Sequence, residues 1–524
     1  MQNENIKIRR AIISTSEKKK ICLLAKILTE YNVEIVSTAG TASLLKANDF
    51  YVREVSELTN FPEMMEGRVK TIHPLIHGGI LFRRTNSNDI KDVKKHEINE
   101  INLVVVNLYP FRKKVLKRFS FAECVENIDI GGSALIRAAA KNFENVCVIV
   151  DPKDYPSLIK ELGQNKGCVS KEFSKAMAVK AFRVISDYDN DIHFWLSGKF
   201  GEEGKFPLIP KRETKLRYGE NPHQKASLCV FDQPSPAIAG AKKIQGKELS
   251  YNNYVDADCA FKIISEFNEN DSFVCVIVKH KCPCGVAKAP SMREAYVRAN
   301  QSDPASSFGG IIALNSTLDK ETSIEIIKTF VEVIIAPNIT KEAKQILKVK
   351  KNVRVLQTSG LIRHVKGQKI KKEISGGYLL QDTDSLSLNN KKMLNVTIKK
   401  PTKKHLHDLI FAWKIVKHVN SNAIVIVKDG QTIGIGAGQT SRVGSVKLAV
   451  EKVKTLERSG KKLRSAVVAS DAFFPFKDGI TELVPLGIKA IIQPGGSQRD
   501  YEVIGEANKN GISMIFTGTR HFSH

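Results

Sequence analysis

Short apolar runs rich in β-branched residues, alternating with stretches of helical periodicity, constrain this chain more than any other feature. Ala11-Ile12-Ile13 reads as a strand; after a Ser14-Thr15-Ser16 turn, Ile21, Leu24, Ala25 and Leu28 recur along one helical face. The pattern repeats with Val33-Glu34-Ile35-Val36 as a second strand, Ser37-Thr38-Ala39-Gly40 as a turn, and Thr41 expected to cap a helix carrying Leu44 and Leu45. Strands over 103–106 and 146–150, with a helix over 134–140 between them, continue it. Such alternation predicts a parallel sheet covered on both faces, with ligands at the carboxyl ends of its strands.

The stretch from Phe182 to Lys215 begins helical and then loses apolar periodicity through Gly201-Glu202-Glu203-Gly204, Pro207 and Pro210, which places a boundary near residue 200 and divides the chain into domains 1–200 and 201–524. Beyond it, strands are expected at 273–278, 311–314, 423–427, 432–437, 466–469, 490–492 and 512–516, so the second part is also mixed α/β. Its size favours two lobes, parting in the basic and polar stretch between 340 and 400. No repeat with a period of roughly 20 to 50 residues is visible.

The 81 Lys and Arg against 55 Asp and Glu leave a net charge of +26, which admits a nucleic-acid binder or an enzyme for anionic metabolites. The excess is spread along the chain, densest between Lys341 and Lys372, and is mostly lysine without interleaved aromatics, the pattern of a solvated surface. No apolar stretch approaches the ~20 residues of a membrane span, and Met1 to Lys20 lacks the apolar segment of a secretory signal, so the expected location is the cytoplasm. Nine irregularly spaced cysteines, with Cys147 and Cys275 inside strand-like runs, suggest reduced core thiols.

Several constellations carry chemistry. Lys279 and His280 follow the apolar run 273–278 and precede Cys282-Pro283-Cys284-Gly285, read as a turn; an ammonium and an imidazole at a strand end can shuttle protons at neutral pH. The turns at Ser14 to Lys18 and Thr38 to Thr41 are either helix caps or a phosphate cradle. In Glu66-Gly67-Arg68-Val69-Lys70-Thr71-Ile72-His73-Pro74, a hydroxyl sits beside an ammonium. Asn107-Leu108-Tyr109-Pro110-Phe111 leaves a strand end, and Asp129-Ile130-Gly131-Gly132 runs into the helix ending at Lys141, its glycines permitting close backbone approach and Asp129 doubling as a possible cap.

The second part adds Leu216-Arg217-Tyr218-Gly219-Glu220-Asn221-Pro222-His223-Gln224, with cation, phenol, amides and imidazole in nine residues. Ser306-Ser307-Phe308-Gly309-Gly310 enters a strand, and Gly434, Gly436 and Gly438 strip one face of another, which leaves room for a flat ligand. Phe473-Phe474-Pro475-Phe476 and the aromatics from Phe516 to Phe522 either stack on a heterocycle or pack in the core. The charged end Arg520-His521-Phe522-Ser523-His524 is odd for a fraying terminus and points to Arg520 being tied into a site. His280, Cys282 and Cys284 echo zinc-deaminase ligands, but one residue separates the cysteines where that signature has two, and no His-x-Glu precedes them.

Gly67-Arg68-Val69-Lys70-Thr71, Asn107-Leu108-Tyr109-Pro110-Phe111, Asp129-Ile130-Gly131-Gly132, Ala140-Lys141-Asn142 and the Lys279-His280 region, in this order over nearly the whole chain, resemble the bifunctional purine-biosynthesis family that joins phosphoribosylaminoimidazolecarboxamide (AICAR) formyltransferase to inosine monophosphate (IMP) cyclohydrolase. The resemblance implies a methylglyoxal-synthase-like parallel-sheet domain followed by a formyltransferase domain of two cytidine-deaminase-like lobes without the zinc. It makes Lys70, Thr71, Tyr109, Asp129 and Lys141 the cyclisation set, with Ser16, Lys18, Thr38, Gly40, Thr41, Arg68, Asn107, Gly131 and Gly132 around the nucleotide. It makes Lys279 and His280 the formyl-transfer pair. Arg217, Tyr218 and Arg520 would hold the substrate phosphate, and Gly309, Glu332, Asn422 and Arg442 surround the rest of it. Phe473, Pro475, Phe476 and Ser497 fall where the folate is held.

The cosubstrate so implied is 10-formyltetrahydrofolate, with no metal required, no nucleic acid or membrane partner, and a homodimer. Two departures stand out: Cys282 replaces an asparagine common in bacterial relatives, and Glu332 stands where some members have aspartate. The competing classes are a zinc nucleobase deaminase and a basic nucleic-acid-binding protein.

Overall fold

A computed structural model of the chain describes residues 5–67, 69–117, 119–200, 212–230, 236–268, 272–362, 369–386, 388, 393–458, 460 and 463–524. It divides into two compact units, Met1–Ile209 and Pro210–His524. The expected linker from Gly201 through Pro210 lies outside the described residues.

In the first unit, strands β1 (Arg10–Thr15), β2 (Glu34–Ser37), β3 (Arg53–Glu54), β4 (Leu103–Asn107) and β5 (Cys147–Ile149) form a parallel sheet in the order β3-β2-β1-β4-β5. Successive side chains on a strand alternate between faces. Ala11, Ile13, Leu103 and Val105 therefore pack with Ile21, Leu24 and Leu28 of α1 (Ile21–Glu30), while Ile12, Val104 and Val106 meet Leu135, Ile136 and Ala139 on the other face. Each fully buried Leu or Ile here contributes about 1.5–3 kcal/mol.

Helix boundaries differ from the sequence reading in two places. Helix α2 spans Ala39–Lys46 with Thr38 at its N-cap, so Thr41 is not a cap; it is buried within the helix and its hydroxyl pairs with the Thr15 backbone at 3.3 Å. Helix α3 starts at Ile130 rather than 134 and runs to Lys141, because Asp129 caps it by accepting the Gly132 N–H at 2.7 Å. Helix α4 (Lys171–Phe200) then packs along α3.

The second unit is built on one twelve-stranded sheet. Its first half comprises β6 (Lys242–Gln245), β7 (Phe273–Lys279), β8 (Cys282–Ala289), β9 (Ile311–Leu314), β10 (Val333–Ala336) and β11 (Arg354–Gln357). An exposed hairpin, β12 (Lys369–Ile374) and β13 (Gly377–Asp382), precedes the second half: β14 (Leu394–Asn395), β15 (Ile424–Lys428), β16 (Gln431–Gly436), β17 (Val467–Ser470), β18 (Ala490–Gln493) and β19 (Ser513–Phe516). The order is β6-β11-β10-β9-β7-β8-β16-β15-β17-β18-β19-β14. Both halves show the same sequence of antiparallel and parallel pairings from their outer edge to the centre, where Ala287 meets Gln431.

The halves are thus two lobes of one design, parting in sequence between β11 and β14. Helices α5 (Tyr251–Ile264) and α6 (Lys403–Val416) share one core across one face of this sheet. On the opposite face each lobe has its own core, the second one under α7 (Arg442–Arg458).

The stretch Cys282 to Gly285 is not a turn but the start of β8. The turn is His280-Lys281, both at positive φ, and Pro283 sits at a register shift, where a missing N–H is tolerated. Gly434 and Gly436 do not make room for a ligand: a Cβ on them would fall 2.4 Å from the Ala449 carbonyl oxygen and 1.9 Å from that of Ser445, so they admit α7 onto the sheet. Gly438 alone faces open space, at φ +68°.

Candidate active sites

In the first unit the carboxyl ends of β1, β2 and β4 converge. The Asn107 side chain accepts from Ser16 N at 2.7 Å, Ser16 Oγ at 2.8 Å and Glu17 N at 2.9 Å, and so folds the β1 turn against the end of β4. Ser14 Oγ and Thr38 Oγ1 lie 3.1 Å apart, and Lys18 Nζ donates to the Gly40 carbonyl. Ser16, Lys18, Thr38, Gly40 and Asn107 therefore share one rim. Thr41 lies beneath it, and Arg68 is outside the described residues.

Across from this rim, the N-terminus of α3 meets Lys70 and Thr71. A Cβ on Gly131 would stand 2.8 Å from Thr71 Oγ1, and one on Gly132 would stand 2.5 Å from the Asp129 carboxylate, so both glycines are required for this approach. Burial raises the Asp129 carboxyl above its ordinary value, opposed by the Gly132 and Tyr109 N–H groups and the charge of Lys70. A carboxyl so raised exchanges protons more readily near neutral pH than an exposed one. The Tyr109 ring is exposed, and Lys70 reaches Glu63 at 3.5 Å.

Lys141 does not join this group. It ends α3, about 18 Å along the axis from Asp129, and lines a separate pocket with His77, Arg137, Lys175 and Phe182. Tyr188 of α4 was not singled out by sequence; its hydroxyl accepts the Asp129 N–H, and no signal in a helix-buried tyrosine reveals such a bond.

In the second unit, Lys279 and His280 line a cavity of about 410 Å³ with Cys282, Cys284, Asp303, Ser306, Asn420, Gly438 and Lys452. Lys279 Nζ donates to the Phe308 carbonyl at 2.9 Å, just before Gly309, whose N–H donates to Phe330 O at 2.8 Å. Glu332, two residues beyond, is paired with Arg354 at 2.5 Å. Sequence reasoning missed Asp303 and Lys452, a 2.5 Å ion pair at the cavity wall; Asp303 preceding Pro304 signals only a helix cap. Burial pushes the Cys282 thiol up to about 11 and the Cys284 thiol up to about 12, which keeps both protonated.

Gly438 also borders a second pocket with Ser421, Asn422, Gln439, Phe522 and His524. Here Arg442 donates to Asn422 Oδ1 at 2.8 Å and to the Ala423 carbonyl at 3.0 Å, and pairs with the fully buried Asp471. Arg442 thus orients Asn422 from below. The backbone of the terminus is tied down: Ser523 N donates to Ser421 Oγ at 3.1 Å and His521 N to Asp471 O at 3.0 Å.

Arg520 itself is exposed, its guanidinium 4.3 Å from the Phe522 ring centre, and Arg217 lies 5.5 Å from that of Tyr218. Phe474 is core, while Phe473 and Phe476 are 37% and 48% exposed beside the half-buried Pro475. The Arg499 guanidinium lies over Phe476 at 5.0 Å, and the Arg499 backbone N–H donates to Ser497 Oγ at 3.2 Å. Among the described residues no group of three or more His, Cys, Asp or Glu is arranged to hold a metal ion, and no helix is long and apolar enough to cross a membrane.

Comparison with known proteins adds the family. The profile described as AICARFT/IMPCHase bienzyme matches residues 139–452, and that of an MGS-like domain matches residues 20–134. The bifunctional purine biosynthesis protein PurH of Aquifex aeolicus is 49% identical over 520 residues, covering 98% of this chain and all of that one. The PurH of Cereibacter sphaeroides is 46% identical over 530 residues, covering 99% of each. With full-length similarity at this level, the chain belongs to the AICARFT/IMPCHase bienzyme family.

Proposed function

We infer that the chain carries out the last two steps of IMP formation: transfer of a formyl group from 10-formyltetrahydrofolate to the 5-amino group of AICAR, then dehydrative ring closure. The observation that carries this reading is the Lys279-His280 pair at a cavity in the second unit, while Lys70, Thr71 and Asp129 gather in the first. Two separate proton-transfer centres suit two consecutive reactions.

The AICAR amino group, conjugated to the imidazole ring, is a poor nucleophile, so transfer needs its proton removed and the tetrahedral oxyanion stabilised. His280 takes the proton. Lys279, at the strand end, stabilises the oxyanion or protonates the leaving nitrogen. Asn422, oriented by Arg442, and Gly309 border the ribotide; Phe473 and Phe476 offer exposed rings for the pterin, with Pro475 and Ser497 beside them. In the first unit the carboxamide nitrogen attacks the formyl carbon within the same molecule, so positioning supplies much of the rate. Asp129, Lys70, Thr71 and Tyr109 relay protons as water leaves, and the Ser16, Lys18, Thr38, Gly40 and Asn107 rim receives the phosphate end. Lys141 stands apart from this relay.

We also propose a homodimer acting in the cytoplasm. Arg217 and Arg520 are exposed on different segments, which supports a phosphate clamp completed by a second copy.

The test supplies AICAR and 10-formyltetrahydrofolate to the full chain and follows IMP. His280→Ala should lose about 10² to 10⁴ in formyl transfer and keep cyclisation of supplied formyl-AICAR. No IMP from the wild type, or parallel loss of both activities in a folded His280→Ala, would overturn the reading.

A further inference from the structure

The Lys279-His280 hairpin has a twin in the second lobe. Strands β7 and β8 pair with Lys279 opposite Cys282 and a register shift between Ile277 and Val278. Strands β15 and β16 pair with Lys428 opposite Gln431 and a shift between Ile426 and Val427. Both turns hold two central residues at positive φ: 52° and 60° at His280 and Lys281, 50° and 70° at Asp429 and Gly430. This is the type I′ geometry, for which Asp-Gly is a favoured sequence. His-Lys is not favoured, because a Cβ in the left-handed region crowds the following carbonyl.

The two turns are latched alike. In the second lobe Asp408 of α6 accepts the N–H groups of Asp429 and Gly430, each at 2.8 Å. In the first lobe Asp256 of α5 accepts those of His280 at 3.1 Å and Lys281 at 2.8 Å. Cys259, one turn further along α5, adds an Sγ contact to the Lys281 carbonyl at 3.4 Å.

We propose that Asp256 is a positioning residue for formyl transfer: its carboxylate holds the His280-Lys281 turn in the left-handed conformation that sets the imidazole at the cavity and leaves Lys279 at the strand end, in reach of the Phe308 carbonyl. The proposal rests on the reading of His280 as the base. The twin lobe separates the turn's two supports. Asp429-Gly430 has both a favourable sequence and a latch, whereas His280-Lys281 has the latch against an unfavourable sequence. A glycine at 281 therefore substitutes for part of what the carboxylate does.

The experiment uses full-length Asp256→Asn, Lys281→Gly, the double variant and Asp408→Asn, with cyclisation of supplied formyl-AICAR as an internal measure of folded enzyme. Asp256→Asn should lower the formyl-transfer kcat about 10- to 100-fold, the scale of a small misplacement of a catalytic group, with little change in the KM of either substrate. Lys281→Gly and Asp408→Asn should keep wild-type kcat, and the double variant should regain most of the loss. Wild-type kcat in Asp256→Asn overturns the proposal, as does an equal loss in the double variant.

If Asp256→Asn does not fold, Asp256→Glu, which moves the carboxylate by one methylene, takes its place with and without Lys281→Gly, and absence of rescue again overturns it. Full formyl transfer in His280→Ala would remove the functional reading itself, an outcome distinct from either.

Discussion

The Tyr188 hydroxyl accepts the backbone N–H of Asp129 at 2.8 Å, so a residue on α4 fixes the start of the helix capped by Asp129, the carboxyl proposed to act in cyclisation. The same hydroxyl contacts the Asn127 carbonyl at 3.3 Å, and burial pushes the phenol up to about 12, which keeps it neutral and bonded over the working range.

Tyr188→Phe removes the acceptor and leaves a partly buried N–H unpaired, at a cost of about 1–3 kcal/mol in stability. Cyclisation should slow while formyl transfer is unchanged. Denaturant unfolding and the two separate assays check this, and unchanged cyclisation in a destabilised variant would confine Tyr188 to a structural role.

The strands were legible because runs such as Phe273 to Val278 and Ile311 to Leu314 carry β-branched residues buried on both faces of a sheet, a pattern that survives without tertiary information. The site was legible in pieces. Thr71, Gly131 and Asp129 stood out as motif residues, but their approach depends on where the Lys70 segment crosses the end of α3. Gly434 and Gly436 misled because a glycine stripe looks the same whether a helix or a ligand fills it. Cys282-Pro283-Cys284-Gly285 has turn composition, yet the register shift absorbs Pro283, and Gly285 is needed where a Cβ would stand 2.0 Å from the Ala299 carbonyl oxygen. The Asp256 latch was invisible, since it joins a helix to a turn 24 residues later through backbone N–H groups that sequence does not distinguish.

A fragment ending near Ile209 should retain cyclisation of supplied formyl-AICAR, because the five-stranded sheet closes its own two cores and holds Lys70, Thr71, Tyr109 and Asp129. Turnover by the isolated fragment checks this. A folded fragment without turnover would show that the second unit completes the site.

Arg520→Lys should raise the apparent KM for AICAR far more than that for the folate, because lysine does not reproduce bidentate guanidinium contacts to a phosphate. The anchored terminus makes this a fair test, since Ser523 and His521 hold the backbone on either side of Phe522 whatever residue occupies 520. Steady-state kinetics with each substrate varied decides it, and wild-type constants would remove Arg520 from the clamp.

The lobes are joined by a buried cluster that predicts acid lability. Glu266, just beyond α5, accepts from Lys417 at 3.0 Å and His418 at 2.8 Å, both just beyond α6. Burial lowers His418 below its ordinary 6.5, against the opposing Glu266 hydrogen bond, so the folded imidazole resists protonation. Burial alone would raise Glu266, but the His418 hydrogen bond and the charge and hydrogen bond of Lys417 hold the carboxyl below its ordinary 4.5. Both shifts have the same sign for stability. Below pH 6.5 the unfolded chain binds a proton at His418 that the folded one refuses, and below 4.5 the same holds for Glu266, so stability present at neutral pH is lost as pH falls through these windows. Within the histidine window the slope approaches about 1.4 kcal/mol per pH unit for this one group. His418→Gln keeps a donor near Glu266 and removes the titration, so its melting temperature should fall less than that of the wild type between about pH 7 and pH 5. Parallel profiles for the two proteins would show that protonation of other groups, not the lobe-joining cluster, sets the acid limit of the second unit.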